Sequence, residues 1–379
     1  MNRTSVTPSF WNGCRVFVTG HTGFKGSWLC LLLKLLGAEV MGYSLPPPTH
    51  PSLFEVARID GLVETIEADV RDFPRLLHAI AAYSPHVVIH MAAQSTVLHS
   101  YEDPVGTYST NVMGTVNVFE AIRFAKRPCV VINVTTDKIY DNQMCMWGHR
   151  ENDRLGGRDP YSNSKACAEL VAKAYRDSFY PMEEFDRHGV GIGSVRAGNV
   201  IGGGDWTPRQ LLPDIIAACS QGSKLVLRHP TALRPWQHVL DCLAGYLTLA
   251  EQLSADPMRY AGEWNFGPAE SDEWTVSDMV EAISKEWGGD FTWETDHSAN
   301  GYEEPVLRLD CSKVNRVLGW HPRLMLEESV RWTVRWYKGY LNKEDPRKLC
   351  HEDLCQYMAL NACSDRLSLG KMRHEFLSA

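Results

Sequence analysis

The stretch RVFVTGHTGFKGSWLCLLLKLLG at residues 15–37 decides the fold class of this chain. Its first five residues are mostly apolar and β-branched or aromatic, which predicts a short buried strand. An apolar helix is predicted over residues 28–36, where Gly37 would end it. Between strand and helix lie glycines spaced as G-x-x-G-x-x-G: Gly20, Gly23 and Gly26. Because such glycines allow a tight turn and the close approach of a pyrophosphate to a helix N-terminus, the stretch predicts a dinucleotide-binding turn.

Strands and helices continue to alternate beyond this stretch. Strands are predicted at residues 39–43, 86–90, 129–134 and 189–195, and helices at 73–83 and 105–124. This spacing is typical of βαβ units, whose right-handed crossovers place helices on both faces of a parallel sheet. The predicted fold class is α/β: a Rossmann-type doubly wound parallel sheet with a smaller C-terminal α/β substrate-binding lobe.

The alternation loosens after about residue 180, where glycine and tryptophan remain frequent. We expect a Rossmann domain at residues 10–190, to which residues 230–265 partly return, and a mainly substrate-binding lobe at 191–345. Residues 346–379 are charged and contain several cysteine and histidine residues. This C-terminal tail is interpreted as a helix followed by a loose end.

The 379 residues have an ordinary globular composition, with 44% hydrophobic and 22% charged residues. A net charge of −8 argues against a nucleic-acid binder, although local basic residues could hold a phosphorylated ligand. The longest apolar stretch, 28–36, is interrupted by Lys34 and is far shorter than the roughly 20 residues of a membrane span. The N-terminus has no apolar signal region, so a soluble, cytoplasmic protein is expected.

The 11 cysteines form an odd number without a disulfide framework pattern, which favours reduced thiols. Several cysteines and a histidine lie close together near the C-terminus: Cys350, His351, Cys355 and Cys363. Their spacing does not fit a usual zinc site, so no metal site is predicted.

The end of the second predicted strand bears on the choice of cofactor. It reads Gly42-Tyr43-Ser44, without the carboxylate that commonly binds the ribose 2′-hydroxyl of NAD. No arginine is present there for the 2′-phosphate of NADP, which favours NAD. Asp69 and Val70 follow another short strand and are candidates for contact with the adenine, although an ordinary turn aspartate is an equally open interpretation.

Tyr161 and Lys165 are four residues apart, so on a helix they share one face. Pro160 marks the first helical turn, which places Tyr161 at a helix start. A nearby ammonium lowers the pKa of a phenol, and the phenolate can then take the proton of a hydroxyl whose carbon gives up hydride. The open alternative is an ordinary pair on a surface helix.

Thr136, Asp137 and Lys138 follow the strand predicted at 129–134. Ligand sites in open α/β sheets lie at the carboxyl ends of the strands, so a hydroxyl, a carboxylate and an amine would emerge together at the site. The alternative interpretation is a solvated loop with a surface ion pair.

These motifs resemble the extended short-chain dehydrogenase/reductase family, in its nucleotide-sugar dehydratase branch. Further supporting runs are YSTNVMGT at 108–115, DPYS at 159–162, VRAGNVIGGGDW at 195–206 and RPWQHV at 234–239. Together the runs cover residues 10 to about 340, and the lysine after Thr136-Asp137 resembles the signature of the dehydratases that use CDP-glucose.

The resemblance implies NAD as a tightly held catalytic cofactor, CDP-glucose as the substrate and a 4-keto-6-deoxy sugar as the product. Tyr161, assisted by Lys165 and Thr136, would remove the proton of the 4-hydroxyl as the C4 hydride leaves. Lys138 would take the C5 proton, and Asp137 would protonate the departing 6-hydroxyl. A lysine that acts as a base needs a lowered pKa, which burial can supply.

The resemblance also assigns binding residues. For the cofactor these are Gly20, Thr22, Gly23, Phe24, Lys25, Gly26, Asp69, Val70, Ala92, Ala93, Gln94, Asn111, Tyr161 and Lys165. For the substrate they are Gln94, Ser95, Asn199 and Arg234, the last two at the diphosphate. A homodimer is implied, in which helices at 105–124 and 166–178 from each subunit form a four-helix bundle.

The chain departs from the family pattern in two places. Residues 95–98 read STVL where the family has PLVR, at the border of sugar and nicotinamide. Arg209 is displaced by one residue, which would shift a phosphate contact. Two other functions stay open: an epimerase or decarboxylase of the same superfamily, and a Rossmann-type binding protein without catalysis.

Overall fold

The computed structural model describes residues 5–142, 146–269, 272–289, 292–296 and 304–360. Its centre is a seven-stranded parallel sheet in the order β3-β2-β1-β4-β5-β6-β7. The strands are β1 Arg15–Thr19, β2 Glu39–Ser44, β3 Glu64–Glu67, β4 Val87–His90, β5 Cys129–Val134, β6 Val190–Ala197 and β7 Gly262–Phe266. This order reverses direction between β1 and β4, as in doubly wound nucleotide-binding folds. The predicted fold class is therefore confirmed.

Long helices lie between and after these strands along the chain. They are α1 Phe24–Leu35, α2 Phe73–Tyr83, α3 Gly114–Ala125, α4 Pro160–Ser178, α5 Leu211–Gln221, α6 Val239–Ala255, α7 Val276–Trp287, α8 Leu326–Leu341 and α9 Pro346–Ala359. Short α-helical turns lie at Pro8–Trp11, Leu53–Val56, Val97–Glu102, Pro104–Tyr108, Phe185–His188 and Pro257–Tyr260. Short 3-10 turns lie at Ile59–Gly61, Asp137–Ile139 and Met182–Glu184, and π-helical turns at Ser109–Met113 and Val314–Leu318.

Alternating side chains of the strands fill two separate cores. In β1, Val16 and Val18 pack into a core with α1 and α6, whereas Phe17 packs into a second core with α2, α3 and α4. The period of two is that of a pleated strand whose two faces are both covered. This explains why residues 16–18 of the strand motif are all apolar rather than alternating.

Short two-stranded sheets lie beyond the carboxyl ends of the main strands. Val200–Ile201 pairs with Gln237–His238, Leu233–Arg234 with Trp274–Thr275, and Leu225–Leu227 with Trp293–Thr295. They support the loops that face the strand ends. The sequence predicted a continuous glycine-rich loop at 196–206, and this is corrected: Arg196 and Ala197 belong to β6 and a short strand interrupts the loop.

Two helix predictions are also corrected. The helix predicted from residue 28 begins at Phe24, with Gly23 as its N-cap, so Gly26 lies inside the helix rather than in the turn. The single regular helix predicted over 105–124 contains a π-helical turn at Ser109–Met113. The wider turn holds one extra residue and is common at functional sites. Asn111, in its middle, is buried.

The C-terminal helix α9 packs against the body of the protein. Cys350, Leu354 and Tyr357 are buried in the core that also holds α1 and α6. Residues 361–379, including Cys363 of the cysteine and histidine group, lie outside the described residues. Within the part that is described, no helix combines the length and apolar character needed to cross a membrane.

Candidate active site

A cleft of about 1600 Å³ opens at the carboxyl ends of the strands. It is lined by most of the residues that the sequence singled out: Gly20, Thr22, Gly23, Phe24, Lys25, Gly26, Asp69, Val70, Ala92, Ala93, Ser95, Thr136, Asp137, Lys138, Tyr161, Lys165, Asn199 and Arg234. Gln94 and Asn111 are not part of this lining. Motifs up to about 200 residues apart in sequence therefore meet at one edge of the sheet.

The glycine turn is packed too tightly for side chains. Gly20 has a φ of +75°, and a Cβ there would lie 2.7 Å from the backbone nitrogen of Ala92. A Cβ on Gly26 would lie 2.2 Å from the carbonyl oxygen of Gly20. The N-cap Gly23 has no side chain to occupy the first N–H groups of α1. This helix terminus therefore faces the cleft with free donors, as an anion site requires.

The far end of the cleft is lined by Ser44, where β2 ends, and by Asp69. The Thr22 hydroxyl lies 2.9 Å from Ser44 Oγ and 3.0 Å from the Leu45 carbonyl oxygen. The Arg71 guanidinium donates to both carboxylate oxygens of Asp69 and holds the pKa of Asp69 below its usual value. Where β2 ends, the cleft is therefore lined neither by a carboxylate without an ion-pair partner nor by an arginine.

Asn111 and Gln94 are placed beside the cleft wall and form its support. The Asn111 side-chain amide donates to the Gln94 carbonyl oxygen at 3.0 Å and to Ser164 Oγ at 2.8 Å, and its Oδ1 accepts from the Gln94 N–H. The Gln94 side chain bonds to Thr96 and Thr107. Asn111, in the π-helical turn, thus ties the loop after β4 to α4, while Gln94 ties the same loop to the short helix Pro104–Tyr108.

Tyr161 and Lys165 occupy the first turns of α4. The helix begins at Pro160, and the carboxylate of the N-cap Asp159 accepts from the Ser162 N–H at 2.9 Å. The Lys165 ammonium is buried and donates to the carbonyl oxygen of Val134, the last residue of β5, at 2.7 Å. This hydrogen bond joins the helix to the strand end.

The pKa values of this pair differ from the sequence-based expectation. Burial raises the pKa of Tyr161, while a hydrogen bond with Thr136 acts in the opposite direction. Burial and the nearby charge of Lys25 lower the pKa of Lys165 to about 8. Because the ammonium is bonded to Val134 rather than to the phenol, burial has the larger effect on Tyr161.

Asp137 and Lys138 lie on a 3-10 turn at Asp137–Ile139 that directly follows Thr136. The Thr136 hydroxyl donates to Asp137 Oδ1 at 3.0 Å, and Lys138 Nζ lies 3.6 Å from the same oxygen. The Asp137 side chain is 1% exposed and that of Lys138 is 26% exposed. Asp137 Oδ2 is buried and has no hydrogen-bond partner among the described residues. One carboxylate oxygen is therefore held while the other is available to a ligand.

Asn199 and Arg234 also line the cleft. Arg234 is buried, and its guanidinium donates to the Leu233 carbonyl oxygen at 2.8 Å. Asn199 Oδ1 is buried without a hydrogen-bond partner in the described part of the chain. Arg209 pairs instead with Glu102 at 3.3 Å, across the mouth of the cleft, and both side chains are exposed.

Several lining residues were not singled out from the sequence. They are His99, Tyr101, Glu102, Arg158, Arg228, His229 and Glu304. The basic cluster RHPTALR at 228–234 was a usable signal, since Arg228 and His229 closely precede the predicted diphosphate ligand Arg234. The other residues lie in segments without a motif, and only the fold brings them to the cleft.

The sheet order, the tight glycine turn and the tyrosine and lysine of α4 define the class of NAD-dependent short-chain dehydrogenases/reductases of the extended type. The family described as GDP-mannose 4,6 dehydratase matches residues 17–333. The chain belongs to this family.

A curated relative is 48% identical over 354 residues, which is 93% of this chain and 99% of the relative: the CDP-glucose 4,6-dehydratase of Salmonella typhimurium. Among solved structures, a dTDP-glucose 4,6-dehydratase from Streptomyces venezuelae with NAD and TYD bound is similar with a TM-score of 0.72 and 24% identity, over 88% of this chain and 99% of that one. A UDP-glucose-4-epimerase from Stenotrophomonas maltophila with bound NAD has a TM-score of 0.76 and 21% identity, over 87% and 99%. These two structures show the fold alone.

Proposed function

We propose that this protein is an NAD-dependent dehydratase that converts CDP-glucose to CDP-4-keto-6-deoxyglucose. One observation carries the proposal: Thr136, Asp137, Lys138, Tyr161 and Lys165 line a single cleft beside the glycine turn. Tyr161 and Lys165 can thus assist hydride transfer, and Asp137 and Lys138 can act as acid and base, on the same bound sugar. The near full-length similarity to a CDP-glucose 4,6-dehydratase supports the choice of sugar nucleotide.

The cleft fits NAD at the glycine turn. The free N–H groups of α1 and the close backbone packing of Gly20 against Ala92 suit a pyrophosphate, and Asp69 and Val70 line the adenosine end. When bound, NAD supplies the hydride acceptor for C4 and later the hydride donor for C6. Tyr161 and Lys165 line the part of the cleft that would hold the nicotinamide.

Gly26→Ala tests this assignment. The new Cβ would lie 2.2 Å from the Gly20 carbonyl oxygen, so the turn has to open. We expect the affinity for NAD, measured by calorimetry, to fall at least about tenfold, or about 1.4 kcal/mol. Gly61→Ala is the matched control, because a Cβ there meets no atom within 4 Å. Unchanged NAD affinity in Gly26→Ala would refute the assignment of the turn.

Tyr161 removes the proton of the sugar 4-hydroxyl while the C4 hydrogen leaves as hydride. Burial keeps the phenol protonated, and the hydroxyl of Thr136 favours the phenolate against burial. The ammonium of Lys165 donates to the Val134 carbonyl oxygen and so joins α4 to the strand end. The Thr136 hydroxyl also lies where it can orient the 4-oxygen. The result is a ketone at C4, which acidifies the hydrogen on C5.

Lys138 then takes the C5 proton and Asp137 gives a proton to the departing 6-hydroxyl. The C5–H and C6–O bonds break, a C5–C6 double bond forms and water leaves. The hydride is returned to C6 and a proton to C5, so the sugar loses one water in total and its oxidation state is conserved. The 3.6 Å contact between Lys138 Nζ and Asp137 Oδ1 keeps acid and base within reach of neighbouring carbons.

Asn199 and Arg234 hold the diphosphate of the substrate. A guanidinium matches phosphate oxygens with paired donors, and Arg228 and His229 line the same cleft. Ser95 borders the sugar. Gln94 and Asn111 act on the ligands through the loop that they support rather than by direct contact.

The test is incubation with a panel of nucleotide hexoses followed by mass spectrometry. We expect a product of CDP-glucose that is lighter by one water and that carries a ketone. An epimer of unchanged mass would instead identify an epimerase, and an absence of any product with NAD bound would identify a binding protein. Either of these results would reject the proposal.

We further propose a homodimer formed by the helical run at 104–125 and by α4. These neighbouring helices carry exposed apolar side chains: Val105, Met113, Phe124 and Leu170. Exposed apolar side chains on neighbouring helices support an interface there. Leu170→Glu is expected to give a monomer in sedimentation experiments, whereas Leu341→Glu, at a leucine of similar exposure on α8, leaves the dimer intact. A Leu170→Glu variant that sediments as the wild type would exclude this interface.

We also place the protein in the cytoplasm, since the cysteines of the described residues are all free thiols, which a reducing compartment preserves.

The division into a Rossmann domain at 10–190, a substrate lobe at 191–345 and a tail at 346–379 is retained as a proposal. It is supported by the position of β7 and α6, within the span 230–265, in and against the central sheet.

A further inference from the structure

The segment 135–140 carries Thr136, Asp137 and Lys138, and it is held at both of its ends by one buried ion pair. The pair is Glu169 of α4 with Arg196 of β6, at 3.0 Å, with both side chains 2% exposed. Neither residue lines the cleft. We propose that Glu169 and Arg196 are positioning residues that set the geometry of the catalytic segment; this inference rests on the proposed function.

The first end of the segment is tied to Glu169. The Thr135 hydroxyl donates to Glu169 Oε2 at 2.7 Å, and the Thr135 N–H donates to the Val195 carbonyl oxygen at 2.8 Å. Glu169 lies one helical turn beyond Lys165, which is itself bonded to Val134. Two successive turns of α4 therefore hold two successive residues at the end of β5.

The second end is tied to Arg196. Its guanidinium donates to the Tyr140 hydroxyl at 2.8 Å and to the Glu151 carbonyl oxygen at 2.9 Å. The Tyr140 hydroxyl in turn donates to Asn265 Oδ1 at 2.6 Å, on β7. Tyr140 directly follows the 3-10 turn that bears Asp137 and Lys138. The far end of the segment is thereby anchored to the sheet.

The ion pair has a positioning role because both of its residues also form hydrogen bonds to the segment 135–140. Glu169 bonds to the first end of the segment and Arg196 to the second end. Glu169 Oε1 accepts from Arg196 while Glu169 Oε2 accepts from Thr135. Arg196 uses Nε and Nη2 for Glu169 and Nη1 for Tyr140. A buried ion pair alone is weak evidence for stability, but this one couples two elements, α4 and β6, to the loop that carries the acid and the base.

The test removes each link without exposing an unpaired charge. Tyr140→Phe deletes one hydroxyl at the second end, and Thr135→Val deletes one at the first end, with shape conserved in both. Direct substitution of Glu169 would strand Arg196 in the interior and could unfold the protein. Tyr357→Phe is the matched control, since this buried tyrosine also donates to a side chain, Asp241, but outside the cleft.

We expect kcat to fall about 10- to 100-fold in Tyr140→Phe and Thr135→Val, because small displacements of catalytic groups have effects of this size. KM and NAD affinity should be unchanged. In Tyr140→Phe the absorbance of reduced nicotinamide should persist during turnover, since elimination is slowed after oxidation. In Thr135→Val it should not persist, since Thr136 assists oxidation. Thr135→Ser, which restores the hydroxyl, should recover kcat.

The inference is overturned if Tyr140→Phe keeps the kcat of the wild type, or loses kcat without persistent reduced nicotinamide. It is also overturned if Tyr357→Phe loses kcat to the same extent, because the loss would then follow from stability alone. Failure of the proposed function is distinguishable: it would appear in the wild-type protein as an absence of water loss from CDP-glucose.

Discussion

Replacement of Tyr161 by phenylalanine is expected to lower the turnover of CDP-glucose about 10²- to 10⁴-fold, the range found for loss of a general base. The variant keeps the ring and the packing of the first turn of α4, and it removes only the group that receives the 4-hydroxyl proton. Because oxidation at C4 precedes every later step, neither reduced nicotinamide nor a keto product should form. The measurements are the nicotinamide absorbance after mixing with substrate and the mass of the product.

A matched control lies on the same helix. Tyr175 is also on α4, and its hydroxyl donates to Glu120 at 2.7 Å on a surface away from the cleft. Tyr175→Phe should therefore keep full turnover. NAD affinity in Tyr161→Phe should stay within about twofold of the wild type, because the pyrophosphate is bound at the glycine turn. If Tyr161→Phe still releases the keto product, Tyr161 is not the base.

The fold was predictable because its signals are local. The apolar run at 16–18, the glycine spacing and the helix at 73–83 each depend on neighbours a few residues away, and α2 occupies the predicted range, Phe73–Tyr83. The π-helical turn at Ser109–Met113 left no such signal. Its extra residue is stabilised by bonds from Asn111 to the loop after β4 and to α4, which are tertiary contacts.

The chemistry of the candidate site was predictable to the extent that motifs carry it. The residues of the glycine turn, of the segment after β5 and of the first turns of α4 all line the cleft. Gln94 shows the limit: its contact with a ligand stays a prediction, and its motif gave no sign of the bonds of its side-chain amide to Thr96 and Thr107. Sequence shows which polar groups are present, and the fold decides which of them are already bonded.

The support of the catalytic segment was not predictable at all. Thr135 and Glu169 are 34 residues apart, and Tyr140 and Asn265 are 125 apart, so no spacing connects them. From the sequence alone, nothing distinguishes Glu169 from the other charged residues of an amphipathic helix. Nothing distinguishes Arg196 from the other residues of a glycine-rich motif. Their roles become visible only when α4, β5 and β6 are brought side by side.

Substitution of Asp137 or Lys138 separates elimination from oxidation, and it distinguishes a dehydratase from the epimerases that share the fold. In Asp137→Asn and in Lys138→Met, oxidation by Tyr161 continues, but water cannot leave. We expect dehydration to fall about 10²- to 10⁴-fold, with reduced nicotinamide accumulating to one equivalent per site. Lys173→Met, at an exposed lysine paired with Asp177 on α4, is the control and should behave as the wild type.

Deuterium from the solvent assigns the two roles. With Lys138 intact, Asp137→Asn still removes and returns the C5 proton of the ketone, so sugar recovered from heavy water should carry deuterium at C5. Lys138→Met lacks the base and should leave C5 unlabelled. We propose that the leaving hydroxyl takes its proton from Asp137 Oδ2, which is buried and has no partner among the described residues. Equal deuterium labelling in the two variants would contradict this assignment. The proton donor to the 6-hydroxyl and the base at C5 would then not be two separate side chains of the 3-10 turn.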